Sequence, residues 1–168
     1  MRSTIRLAAL AAPLVLAACA GKAPELDCPT VAALQPANHV VRTKGSAQDL
    51  ASRVIDARIT GIGGKCKRHG PDQVQVAFRV GFAATRGPAA TGDRQTLQYF
   101  VALVQGERVV DKRIYPVTFD FANAAGQAVE TTKPIRIDLP NAPVTAKQEV
   151  LVGFEMSPEE LRRALGGG

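Results

Sequence analysis

The chain has 168 residues, with 21 Lys and Arg against 15 Asp and Glu, for a formal charge of +6. That length fits one domain, and so mild a basic surplus is ordinary for solubility and does not point to nucleic acid. Tryptophan is absent, no internal repeat is visible, and Gly166-Gly167-Gly168 is the one low-complexity tract.

Arg2 and Arg6 stand ahead of an apolar run, Leu7 to Leu16, interrupted only by Pro13. A charged start, a middle of roughly ten apolar residues and a small-residue end make a secretory signal. A membrane span would need ~20 apolar residues. The run closes on Leu16-Ala17-Ala18-Cys19, which resembles the lipobox of bacterial lipoproteins. That resemblance implies cleavage after residues 1–18, a diacylglyceryl thioether on the Cys19 sulfur and acylation of its new amino group. Three chains would hold a protein firmly where one holds it only marginally. Ala20, in place of the aspartate that favours inner-membrane retention, implies export to the outer membrane. The mature chain would keep 150 residues and a charge of +4. Residues 19–27 then form a polar tether whose eight residues past Cys19 reach at most roughly 25–30 Å. The folded body, residues 28–165, would face the periplasm close to the leaflet, and residues 166–168 form a glycine tail.

With Cys19 assigned to lipid, Cys28 and Cys66 remain. In an exported, oxidising compartment an even remainder points to a disulfide, closing a loop of about 39 residues. The competing assignments are free thiols and a Cys2His2 metal set with His39 and His69, for which the Cys28–His39 spacing is loose.

Residues 29–50 are poorly patterned, broken by Pro29 and Pro36, with Val40-Val41 as a short edge strand and one helical turn from Ser46 to Leu50. From Arg53 the apolar period becomes two, with Ile55, Ala57 and Ile59 on one face and Gly61, Gly63 and Gly64 ending the strand. The clearest strand places Val74, Val76, Phe78, Val80, Phe82 and Ala84 on one face. After the loop Arg86–Asp93, Leu97 to Val104 reads as a central strand. Gln105-Gly106-Glu107-Arg108 then turns the chain into Val109-Val110. Tyr115, Val117, Phe119 and Phe121 alternate next, and Pro116 argues for an edge or a bulge. Asn123–Gly126 is a turn, Ile135, Ile137 and Leu139 mark a strand, and Pro140–Pro143 is a loop. Val150, Val152, Phe154 and Met156 mark the last strand. Ser157, Pro158 and Glu160 form a capping box for a short helix, whose Leu161 and Leu165 would lie on the sheet.

Together these elements predict an all-β fold: an antiparallel β-sandwich, immunoglobulin- or fibronectin-like, of about seven strands with a short C-terminal helix. An up-and-down barrel is the runner-up. The absence of Trp and the early cysteines argue against a true immunoglobulin domain.

Cys28-Pro29, Gly64-x-Cys66, Arg86-Gly87-Pro88-Ala89-Ala90, Tyr99-Phe100-Val101-Ala102, Val150-Leu151-Val152-Gly153-Phe154 and Ser157-Pro158-Glu159 occur in that order. Together they resemble a family of small, uncharacterised proteobacterial outer-membrane lipoproteins. The resemblance brings no established activity. It implies a lipoprotein with Cys28 paired to Cys66, and it draws attention to the Arg86–Ala90 loop.

Gly61-Ile62-Gly63-Gly64-Lys65 lacks the spacing of a phosphate loop, with Cys66 where a magnesium-binding hydroxyl belongs. No serine sits in a nucleophile elbow, and His39 and His69 lie in polar, loop-like contexts. The carboxylates alternate with core residues or open a helix, so no glycosidase pair is marked by spacing. The expectation is a non-enzymatic protein without cofactor or metal. It would bind the membrane through its anchor and another envelope protein through a strand edge near Pro116 or the Arg86–Asp93 loop, and it would not bind nucleic acid. The candidate binding residues are Lys65, Lys67, Arg68 and His69, together with Arg86, Gly87 and Pro88. The alternative is a binder of peptidoglycan or lipopolysaccharide through a basic Lys65–His69 loop.

Overall fold

A computed structural model describes residues 26, 28–45, 49–70, 73–122, 125–140 and 148–166. The expected signal, Cys19 and the expected tether up to residue 25 lie outside these residues. So do most of the Ser46–Leu50 turn, half of the Asn123–Gly126 turn and the loop beyond Pro140.

Nine strands are described: β1 (Thr30–Ala33), β2 (His39–Thr43), β3 (Arg53–Arg68), β4 (Gln73–Arg86), β5 (Arg94–Gln105), β6 (Arg108–Asp120), β7 (Gln127–Thr131), β8 (Ile135–Pro140) and β9 (Gln148–Phe154). They form two sheets, a sandwich rather than a barrel. One runs β1-β9-β5-β6; the other runs β2-β3-β4, with β7 and β8 both paired to the far side of β4. All pairings are antiparallel except β1 with β9.

The alternation in β4 puts all six inward residues, from Val74 to Ala84, in the core. Phe82 stands at its centre. Its ring meets Tyr99, Phe154 and Phe119 of the opposite sheet at centroid distances of 5.1, 5.6 and 6.4 Å. These tilted and edge-on aromatic contacts are what hold the two sheets face to face. Gly106, at φ +60°, opens the two-residue turn between β5 and β6. Pro116 lies on β6, the free edge of its sheet, where a missing N–H costs no ladder bond.

The glycines after Thr60 do not end β3, which continues to Arg68. A register shift between Ile59 and Gly61 inserts one extra residue. The inward set therefore changes from Ile55, Ala57 and Ile59 to Ile62 and Cys66, all packed on the core. Gly64 serves close strand approach: a Cβ there would lie 2.6 Å from the Phe78 Cβ. The face change turns the Cys66 sulfur toward Cys28, just before β1. The two sulfurs lie at disulfide distance with Cα atoms 6.0 Å apart, pinning the edge of one sheet to the other.

Between β1 and β2 the chain crosses from one sheet to the other. Phe154 N donates to Ala37 O (2.7 Å) and Ile59 N donates to Asn38 O (2.8 Å). This crossing covers Phe100 and Ala102 on the outer side of the first sheet.

The helix α1 (Pro158–Ala164) begins at the expected capping box. Its leucines do not lie on the sheet: Leu161 is 41% and Leu165 68% exposed, and no residue of the helix is buried. The sandwich core is already filled by strand residues, so α1 docks by polar contacts. Arg42 on β2 pairs with Glu160, and its Nη2 donates to Glu155 O (2.6 Å). Burial pulls the Glu160 carboxyl upward in pKa. The Ser157 N–H and the Arg42 guanidinium outweigh it, leaving the group below its ordinary value. A depressed carboxylate stabilises above its unfolded pKa and loses that contribution as pH falls through the folded one. The stability difference between wild type and Glu160→Gln, measured by urea unfolding, should therefore be full at neutral pH and shrink in acid. A gap independent of pH would contradict this docking.

Candidate functional site

The predicted binding residues do not converge. Lys65, Lys67 and Arg68 belong to β3 rather than to a loop, and His69 follows in the hairpin, where its N–H donates to Gln73 O (2.8 Å). Strand alternation splits them: Lys65 and Lys67 point to the outer face, whereas Arg68 shares the side of Cys66. Arg86, Gly87 and Pro88 lie at the other end of β4, on the order of 40 Å away at about 3.3 Å per residue. Two separate places are involved.

The Arg86–Asp93 loop spends its polar groups on its own chain. Gly87 N donates to Val54 O (2.8 Å), Ala89 N to Arg53 O (3.0 Å) and Arg86 N to Gly126 O (2.8 Å). The Arg86 side chain pairs with Asp93. Gly87 is buried so close to β3 that an added Cβ would meet Arg53 O at 2.0 Å. Arg86 and Gly87 thus build the corner of the fold, and Pro88 alone of the three is turned outward without an architectural bond.

His39 Nε2 bonds Asp56 Oδ1 (2.8 Å), and Arg53 Nη1 shares the same carboxylate (3.1 Å). No serine or cysteine of the described residues bonds the His39 ring, which is exposed at the sheet edge. Cys28, Cys66, His39 and His69 do not assemble. Among the described residues no three His, Cys, Asp or Glu side chains gather as metal ligands.

Two features stand out, of which the sequence marked only one, as a strand edge near Pro116. The first is the outer part of β6. Residues 108–114 are exposed throughout, and Val109 (62%), Val110 (46%) and Ile114 (51%) present apolar surface on a strand with no neighbour beyond it among the described residues. The second is a shallow basin on the outer face of the other sheet. Lys65 is the register partner of Ala77, and Ala77 is the partner of Arg136, so one row across β3, β4 and β8 reads Lys-Ala-Arg. Gly63 and Arg79 face each other in the adjoining row. Gly63 and Ala77 floor the basin; Lys65, Arg79, Pro134 and Arg136 wall it. Arg79 Nη1 donates to Thr132 O (3.1 Å). Lys65, Arg79 and Arg136 join no ion pair among the described residues, whereas Arg42, Arg53, Arg86, Arg94, Lys112 and Arg113 each meet an acid. The nearest acid on this face, Asp138, accepts from Gln75 Nε2 (2.8 Å) in the next row.

No protein-family model matches the chain, and neither a curated protein nor a solved structure is significantly similar to it. No helix of the described residues is long and apolar enough to cross a membrane.

Proposed function

We propose that this chain is a lipid-anchored protein of the bacterial outer membrane, related to the small proteobacterial lipoproteins it resembles. In this reading it is a non-catalytic module that recruits another envelope protein on the periplasmic side. The signal-like start and Leu-Ala-Ala-Cys support the anchor at Cys19. One structural observation carries the recruitment: the open edge of β6, with Val109, Val110 and Ile114 exposed beside unpaired backbone groups. An extended segment of a partner can add there as a further strand, its main chain supplying hydrogen bonds and its side chains meeting the apolar residues. Charges at Arg108, Asp111, Lys112 and Arg113 guard the same edge against indiscriminate pairing. Pro116 ends the usable ladder. The Arg86–Asp93 loop loses support as the contact, because its bonds are internal.

The test is a photo-reactive residue at Ile114 in cells making the protein from its own signal. A discrete crosslinked envelope protein, absent when the residue is placed at Arg94 on β5, is the expected result. A background identical at both positions would refute recruitment through this edge.

The alternative, a peptidoglycan or lipopolysaccharide ligand held by Lys65–His69, keeps support at Lys65. That residue shares its face with Lys67, Arg79 and Arg136, whereas Arg68 lies on the opposite side.

A further inference from the structure

We propose that the basin walled by Lys65, Arg79 and Arg136 binds a phosphate monoester group. This rests on neither the lipid anchor nor the β6 edge. Register partners share one face of a sheet, so Lys65 and Arg136 rise on either side of Ala77, two strand spacings or roughly 10 Å apart. Side chains of that length lean over a floor of Ala77 and Gly63, residues too small to occupy the space between them. Arg79, one row along, is oriented by its bond to the Thr132 carbonyl and keeps other donors open.

Three cations around one small floor repel one another, and among the described residues none of them is ion-paired; Asp138, in the next row, is held by Gln75. Arg42, Arg53, Arg94 and Arg113, by contrast, are each matched with an acid. An anion seated in the basin would supply the missing charge. Two guanidinium forks and an ammonium, converging from three sides, suit a tetrahedral dianion with several acceptor oxygens. A planar carboxylate brings a single charge and two acceptor oxygens, fewer than three converging cations can use. The one aromatic residue of the lining, Phe78, has its ring buried in the core, so no exposed ring is offered to stack a sugar or a base.

Lys65 also precedes Cys66, whose Cα is 6.0 Å from that of Cys28, where the chain from the amino terminus enters the fold. The basin therefore lies near the entry point of the tether. A phosphate-bearing lipid headgroup and a soluble phosphate monoester offer the same chemistry, and the experiment separates them.

The full chain in dodecyl maltoside micelles is titrated with inorganic phosphate and, separately, with short-chain phosphatidic acid, following Lys65, Arg79, Arg136 and Arg108 by NMR. Saturable shifts confined to the first three are expected. If phosphatidic acid binds at least about tenfold tighter than inorganic phosphate, the natural source is a lipid headgroup; equal affinities indicate a soluble monoester. The side chains of Lys65 and Arg136 make no hydrogen bond among the described residues, so Lys65→Gln and Arg136→Gln remove charge and leave the backbone ladder in place. Each should weaken binding about tenfold, the low end for a charge-assisted bond, and the pair roughly a hundredfold. Arg108→Gln, on β6, should change nothing. Absence of saturable shifts, or equal response at Arg108 and in the basin, would overturn the site in favour of diffuse attraction to a basic chain.

Discussion

Replacing Phe82 by alanine is expected to destabilise the fold by roughly 3–5 kcal/mol, the range for truncating a buried phenylalanine. The ring is fully buried and is the one β4 residue in contact with Tyr99, Phe119 and Phe154 together. Truncation leaves a cavity between the sheets that three rings from one side cannot fill without leaving their own strands. For a domain of this size the loss corresponds to a fall of ~10–20 °C in melting temperature. A fall of only a few degrees would mean that the two sheets are held by something other than this cluster. Val129→Ala makes the control, since that residue is 74% exposed on β7 and should leave melting unchanged.

Loss of the Cys28–Cys66 link should cost about 4 kcal/mol in the chain-entropy account of a loop of this length. The paired substitution Cys28→Ala with Cys66→Ala avoids a stray thiol, and reductant added to wild type should lower the urea midpoint to the same place. The physical consequence is local. β1 has four residues and only β9 as a neighbour in its sheet, so the link is what ties this edge to β3. Val31, Ile62, Val76 and Phe78 line the cleft behind it and would gain access to water once β1 frays. A urea midpoint unaffected by reductant would contradict the pairing.

Much of this fold could be read from residue order, because the strongest signals are local. The alternation from Val74 to Ala84, the Gly106 turn, Pro116 at an edge and the Ser157–Glu160 box each depend on neighbours a few residues away, and each stands where expected. Where expectation failed, the deciding partner was distant. Gly61, Gly63 and Gly64 look like a strand end until β4 is laid beside them, when Gly64 proves to be the residue that lets Phe78 approach. β1 and β7 are too short to show a period, and β1 exists through parallel pairing with a strand more than a hundred residues later. Leu161 and Leu165 have helical spacing, but spacing carries no information about whether a surface is vacant for them.

The candidate sites divide in the same way. The run from Lys65 to His69 stood out because its charges are consecutive, yet a strand sends consecutive residues to opposite sides. The basin needs Arg79 and Arg136, which reach Lys65 only through the pairings of β4 with β3 and β8. Likewise the exposure of Val109, Val110 and Ile114 follows from β6 outrunning the sandwich beneath it, which hydropathy alone would have assigned to the core.

The proposed role depends first on where the chain is held, and mass spectrometry of the protein purified from its own cells tests that most directly. The account predicts a mature amino terminus at Cys19, with residues 1–18 removed and the mass of a diacylglyceryl group and an amide-linked acyl chain added there. An amino terminus that retains residues 1–18, or an unmodified Cys19, would contradict it.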